Sequence, residues 1–224
     1  MIPTKITQYR ELIDKWCTQI GVSQSLVMAV IQMESGGNAG AKRYEPGYFR
    51  AYVETNPKWL KVSRETGIPL QSIATSYGLM QMMFATSWGY GCKSVEQAQD
   101  PSQSIRFGTA HLKTLLDKYP IGEALAAYNG GKGGAAAWRA KRNTDAVMYA
   151  KDVLRMYEEY KKDMQSQKQS TTDGPSQTNF FKKSELTCKC GCGLCNTTNA
   201  LLSTLNSIRS AIGAPVIVIS GTRC

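Results

Sequence analysis

The sequence predicts a mainly α-helical protein, and three observations carry that expectation. Apolar residues recur at helical spacing, not in alternation, through the long segments up to residue 160. Glycine and proline punctuate the joints between those segments. Nothing before residue 160 requires a strand, and a polar stretch then separates this helical part from a short cysteine-rich end.

Residues 5–20, KITQYRELIDKWCTQI, place Ile6, Tyr9, Leu12, Ile13, Trp16 and Ile20 on one stripe, with Thr4 as a cap and Gly21 as the stop. The second helix runs into VMAVIQMESGGN, residues 27–38. Leu26, Val27, Val30, Ile31 and Met33 fit its spacing, Ser23 is the expected N-cap, and Ser35-Gly36-Gly37-Asn38 ends it. That helix delivers one carboxylate, Glu34, to its C-terminal end. Partial burial among apolar neighbours would disfavour the charged form and keep Glu34 protonated at neutral pH, as general acid/base work requires. On this segment alone, a solvated glutamate in a last turn is the competing reading.

Residues 41–53, AKRYEPGYFRAYV, are aromatic-rich and interrupted by Pro46-Gly47, and Asn56-Pro57 marks a turn before a short helix over 57–66. This excursion reads either as the wall of a cleft or as a packing flap. Residues 75–90, TSYGLMQMMFATSWGY, read as a methionine-rich helical segment whose apolar side chains pack in the core. Gln81 interrupts it, and a neutral amide there needs partners such as a sugar hydroxyl or an N-acetyl group. Over 100–118, Asp100 and Pro101 open a helix with Ile105, Gly108, Leu112, Leu115 and Leu116 inward. His111 falls on its polar or boundary face and reads as structural. Residues 121–138 form a short helix broken at Asn129-Gly130-Gly131, where Tyr128 and Asn129 project, and 143–160 form a long helix.

The 224 residues suggest one domain of about 150 residues plus something smaller. No apolar run approaches the ~20 residues of a membrane helix, and MIPTKITQYR lacks the apolar region of a signal peptide. The net charge of +10 favours an anionic partner without choosing among nucleic acid, anionic lipid and wall polymers. Nucleic acid is the weakest of these, because charge is its only support. His111 is the single histidine, which removes a histidine-rich zinc site and any Ser-His-Asp or Cys-His set built without it.

Three pieces then occur in order: Glu34-Ser35 with Asn38, Gly78-Leu79-Met80-Gln81, and Ala127-Tyr128-Asn129-Gly130-Gly131. A helix carrying Tyr149 and Val153 follows. Over residues 10–160 this resembles the soluble lytic transglycosylase family, related in fold to goose-type lysozyme. The resemblance implies a lysozyme-like helical domain, over residues 1–160, with a glycan cleft. It implies cleavage of the MurNAc-GlcNAc β-1,4 bond of peptidoglycan with formation of 1,6-anhydro-MurNAc. Glu34 matches the single catalytic acid/base. Gln81 and Met83 match positions lining the cleft, Tyr128 and Asn129 a tyrosine motif near the carboxyl, and Tyr149 a tyrosine closing the site. Ser35, Asn38 and Gly78 come with the same motifs as expected substrate-binding positions. The long stretch between Glu34 and Gly78, with Tyr44-Glu45-Pro46 and Phe49, is similar to phage- and prophage-encoded members. A hydrolase would need a second acid, for which Glu45, Glu54 and Asp100 are candidates by position only.

Residues 161–178, with Met164 as their one large apolar residue, read as a polar linker. Residues 179–224 hold FKKSEL, CKCGCG, a helix over 198–212 and a strand PVIVI, and resemble the start of a zinc D-alanyl-D-alanine carboxypeptidase-like domain. That family's metal ligands lie beyond Ser-Gly-x-Arg-Cys, where this sequence ends, so the segment is expected to be incomplete and to carry no activity of its own. Cys188, Cys190, Cys192 and Cys195 leave a metal cluster, a disulfide pair and reduced thiols open. Their spacing is not that of a zinc ribbon, and no metal or other cofactor is assigned.

The sequence reading is therefore a phage- or mobile-element-type peptidoglycan lytic transglycosylase. Its expected partners are peptidoglycan glycan strands and anionic wall polymers, with no nucleic acid and no membrane span. It is expected to be a monomer, associated with the virion or released to the cell wall or periplasm. A lysozyme-type hydrolase and a non-catalytic wall-binding tail protein are the alternatives.

Overall fold

The computed structural model describes residues 1–172 and 199–212. The chain divides into two units, Met1–Ser166 and Gln167–Cys224. In the second, the described parts are the end of a long helix, up to Thr172, and the helix Asn199–Ile212. The CKCGCG cysteines, Cys224, the PVIVI strand and most of the carboxypeptidase-like segment lie outside the described residues.

The first unit begins with two helices where the sequence predicts one. α1 (Thr4–Thr7) ends in a bend at Gln8 and Tyr9, and α2 (Arg10–Ile20) follows. The bend lets Ile6 as well as Ile13 and Cys17 enter the core, while Tyr9, Leu12, Trp16 and Ile20 pack at its edge. Thr4 does not cap; Pro3 takes the N-cap position. α3 (Gln24–Ser35) is the hub. Residues 25–31 are all buried, so this helix is apolar all round and has neighbours on every side. Ser23 holds the N-cap backbone conformation without a side-chain cap bond. Met33, expected on the apolar stripe, is 40% exposed, because the core closes one turn earlier.

The segment between α3 and residue 90 contains the strands that spacing did not predict. β1 (Lys42–Tyr44), β2 (Thr75–Tyr77) and β3 (Met82–Met83) form an antiparallel sheet in the order β1-β2-β3. Lys42 faces Tyr77 and Ser76 faces Met83. Strands this short leave no alternation long enough to read. The residues expected as a methionine-rich helix are therefore a β2–β3 hairpin leading into α7 (Phe84–Ser87). Between β1 and β2 run α4 (Pro46–Tyr48), a π-turn over Phe49–Val53, α5 (Pro57–Thr66) and α6 (Leu70–Ile73). Asn56 caps α5 by accepting from Lys58 N–H, with Pro57 behind it. This stretch builds a second core: Val53, Trp59, Ile73, Tyr77, Phe84 and Phe107 pack together, and the Trp88 ring stands edge-on to Trp59.

After α8 (Val95–Gln99), α9 (Pro101–Lys118) starts as the sequence predicts, with the Asp100 carboxylate accepting from Gln103 N–H. α10 (Ile121–Arg139) is kinked. Gly130 and Gly131 leave helical geometry and Gly131 takes φ +56°, which turns the chain immediately after Asn129. α11 is longer than expected and runs Asp145–Thr172, through the first part of the stretch read as linker. Lysine, glutamine and methionine sustain a helix there, and no glycine or proline intervenes before Gly174-Pro175. Met164 packs against the core edge, where its sulfur accepts from Ser25 O–H at 3.1 Å. Among the described residues no helix is long and apolar enough to cross a membrane.

Candidate active site

A cleft of about 910 Å³ opens on the first unit, and Glu34 lies in its wall. α3 brings Glu34 there because its apolar body is locked in the core and its last turn is not. The C-cap, Gly36, takes a left-handed conformation and frees the end of the helix. Burial pushes the Glu34 carboxyl up from its ordinary 4.5 to about 7, against the Tyr149 hydrogen bond and the Arg43 charge, which both pull it down. Glu34 is thus substantially protonated near neutrality, as the sequence reading requires.

One hydrogen bond holds this carboxyl, and two others tie the elements around it. Tyr149 O–H, from α11, donates to Glu34 Oε1 at 2.7 Å. Burial and the neighbouring Glu34 hold the Tyr149 phenol well above its usual pKa, so it remains a donor. Ser35 O–H donates to Leu79 C=O at 2.8 Å, tying the end of α3 to the β2–β3 turn. Tyr128 O–H donates to Met80 C=O at 2.8 Å, tying α10 to the same turn.

The turn over residues 78–81 is the structural joint of the site. Gly78 has φ +74°, and a Cβ there would lie 2.6 Å from Ser104 Oγ and 2.9 Å from the Ala98 carbonyl oxygen. Leu79 and Met80 are fully buried, and Met80 N–H donates to Ser104 Oγ at 3.2 Å. Gln81 also adopts a positive φ, +44°. Its Nε2 donates to the carbonyls of Ala41 at 3.0 Å and Gly78 at 2.9 Å. Both amide hydrogens are thereby engaged, and the amide oxygen of this cleft-lining side chain is left as an acceptor.

Of the expected site residues, Glu34, Gln81, Met83, Tyr128 and Asn129 line the cleft. Tyr149 stands behind Glu34, 5% exposed. Ser35 and Gly78 are not among the residues lining this cleft, and Ser35 O–H is engaged with the Leu79 carbonyl. Asn38 is exposed and its side chain accepts from Gly40 N–H at 3.0 Å, which organises the loop after α3.

The cleft also contains residues that the sequence reading did not place among its substrate-binding positions. Arg43 of β1 and Glu45, just after it, pair at 2.5 Å on its wall, with Tyr48 and Tyr52 beside them. The aromatic excursion is therefore a cleft wall, and its aromatic content was the available signal. His111, read as structural on a boundary face of α9, lines the cleft too. Of the other acids weighed, Asp100 caps α9 and Glu54 is exposed. Cys17 and Cys92 are both free and buried.

The raised Glu34 pKa has a consequence for stability. The unfolded chain releases this proton near pH 4.5, whereas the folded chain keeps it to about pH 7. Folding stability therefore falls as pH rises through that window, by up to about 3 kcal/mol from this group. Glu34→Gln does not titrate, so its stability advantage over the parent is expected to grow between pH 4.5 and 7 and then level off. Urea unfolding at a series of pH values checks this; a constant difference between the two proteins would refute the raised pKa.

The Transglycosylase SLT domain family model matches residues 11–150. A transglycosylase of Enterobacteria phage PRD1 is 33% identical over 135 residues, which cover 60% of this chain and 38% of that protein. In structure the chain is similar to an inactive mutant of lytic transglycosylase Slt from Pseudomonas aeruginosa, at TM-score 0.50 and 20% identity. It is likewise similar to the 70 kDa soluble lytic transglycosylase from Escherichia coli, at TM-score 0.51 and 22% identity. Each of these two likenesses covers 70% of this chain and 24% of the other, and shows a shared helical fold. The chain thus spans well under half the length of each of these relatives.

Proposed function

Because the chain belongs to the transglycosylase SLT domain family, we propose that it is a peptidoglycan lytic transglycosylase in which Glu34 is the single acid/base. The observation that carries this reading is the state of the Glu34 carboxyl: on the cleft wall, raised to about 7, and held by Tyr149. Protonated Glu34 donates to the glycosidic oxygen between MurNAc and GlcNAc as the bond breaks. The resulting carboxylate takes the proton from the MurNAc C6 hydroxyl, whose oxygen closes on C1 of the same sugar to give the 1,6-anhydro product. The nucleophile belongs to the substrate, so neither water nor a second carboxylate enters, and the cyclisation carries an intramolecular advantage. Gln81, Met83, Tyr128 and Asn129 hold the glycan in this reading, and Tyr149 positions the carboxyl.

A lysozyme-type hydrolase is the second reading, favoured by one observation, the presence of Glu45 on the same cleft. Its pairing with Arg43 speaks against a free general base. The phage relative supports action at the cell wall as a virion-associated or released lysin. The charge of +10 supports recruitment by anionic wall polymers.

Incubation with purified peptidoglycan and, separately, chitin tests the substrate assignment. Soluble glycan released from peptidoglycan alone is the expected result. Release from both polymers would point to a general β-1,4 glycan hydrolase, and wall binding with no release to a clamp.

Tyr149→Phe tests the positioning role. It removes a hydrogen bond that favours the ionised carboxylate, so the Glu34 pKa rises further. Cleavage begins from the protonated form, so the alkaline limb of the pH–rate profile is expected to move to higher pH. The rate at the optimum falls about tenfold as the carboxyl loses its anchor. An unmoved alkaline limb would separate Tyr149 from Glu34 chemistry.

A further inference from the structure

The ring of His111, the chain's single histidine, is held between two tyrosines on the cleft wall. Its centroid lies 5.6 Å from the Tyr90 ring, edge-on, and 5.5 Å from the Tyr128 ring. The ring proton is assigned from three hydrogen bonds. Thr114 O–H donates to Ala110 C=O at 3.0 Å, as a threonine does along its own helix, and this uses its one hydrogen. Tyr90 O–H therefore donates to Thr114 Oγ1, at 3.2 Å. The Tyr90 hydrogen is then committed as well, so at the 3.0 Å contact with His111 the phenol oxygen accepts and Nδ1–H donates. The chain of donation runs from His111 through Tyr90 and Thr114 to the Ala110 carbonyl. It leaves Nε2 as a bare lone pair, and that nitrogen has no hydrogen-bond partner among the described residues.

We propose that His111 is a substrate-binding residue whose Nε2 accepts a hydrogen bond from a hydroxyl or acetamido N–H of the bound glycan. The proposal rests on the reading of this cleft as a glycan site. Burial also pushes the His111 pKa below its ordinary value, which keeps the ring neutral and the lone pair available. The Gln81 amide oxygen is a second fixed acceptor on the same cleft, so the two select donors on the sugar. Tyr128 gives the assignment its rigidity, since its ring contacts His111 while its hydroxyl is anchored on Met80 C=O.

The lone histidine makes the test direct. The full chain carrying Glu34→Gln is labelled with ¹⁵N-histidine, and its one imidazole is followed by NMR while soluble peptidoglycan glycan strands are added. Strand binding is measured in parallel by calorimetry. The expected result is a protonated Nδ1 and a bare Nε2 in the free protein, with the Nε2 resonance shifting as strands bind. An Nε2–H tautomer overturns the proposal, and so does an Nε2 that stays still while strands bind. Failure of the strands to bind at all would instead defeat the glycan reading of the cleft and His111's role with it.

Kinetics on the same soluble strands supply a second readout, with Glu34 intact. His111→Phe keeps the ring packing and loses the acceptor. It is expected to raise KM about tenfold while kcat changes less than about threefold, and His111→Gln to recover most of the KM. Loss of kcat and Tm together, with KM unchanged and no recovery by glutamine, would mark His111 as packing alone.

Discussion

Glu34→Gln is expected to lower the rate of glycan cleavage about a thousandfold and to leave the fold intact. Both steps of the proposed reaction pass through this one carboxyl, first as acid and then as base, and a carboxamide does neither. The Tyr149 hydroxyl can still donate to the amide oxygen, so the geometry that the hydrogen bond sets is kept. Measured beside it, Glu45→Gln is expected to reduce the rate less than about tenfold, because Glu45 has no step in the mechanism. Comparable losses in the two variants would favour a two-carboxylate hydrolase and contradict the single-carboxyl account. A residual rate in Glu34→Gln near that of the parent would remove Glu34 from the chemistry altogether.

The second large effect is expected at Gly78→Ala. An L-residue is strained at φ +74°, and its methyl would meet Ser104 Oγ at 2.6 Å and the Ala98 carbonyl oxygen at 2.9 Å. Strain and overpacking together cost about 3 to 5 kcal/mol, which corresponds to a fall in Tm of roughly 10 to 15 °C for a unit of this size. Gly67→Ala separates the two contributions. Gly67 has φ +73°, but nothing lies within 4 Å of its missing Cβ. That variant is expected to lose only about 1 kcal/mol. Activity should follow the same order, because displacing Gly78 disturbs the carbonyl that Gln81 Nε2 binds and the Met80 carbonyl that anchors Tyr128. Equal Tm losses at the two glycines would mean that the close packing beneath the turn contributes nothing.

The helical frame was legible from sequence where residues signal locally. Asn56-Pro57 and Asp100-Pro101 each announced a helix start, and both side chains accept the capping bond. Asn129-Gly130-Gly131 announced the kink in α10. Local signals were silent where the structure depends on distant partners. The two- and three-residue strands exist because Lys42–Tyr44 meets Thr75–Tyr77 across the whole excursion, and no short window contains both. α11 ran past its expected end because helix-favouring polar residues continue it after the apolar face has faded.

The candidate site divides in the same way. Glu34, Gln81 and Tyr128 were legible as motif residues, and the cleft contains all three. Motif membership could not separate side chains that line the cleft from those beside it, and Ser35 and Gly78 are not in its lining. His111 was passed over because helical position alone placed it at a boundary. What puts its ring on the cleft is Tyr90, from a segment whose path the sequence did not disclose. Arg43 and Glu45 were missed as a pair because the strand β1 that carries Arg43 and leads into Glu45 was missed.

The mass of the soluble products released from purified peptidoglycan tests the central claim most directly. The account predicts muropeptides ending in 1,6-anhydro-MurNAc, lighter by one water than the products of hydrolysis, and no such products from Glu34→Gln. Reducing-end muropeptides from the parent protein would contradict it, and would show that water rather than the substrate's own C6 hydroxyl attacks at C1.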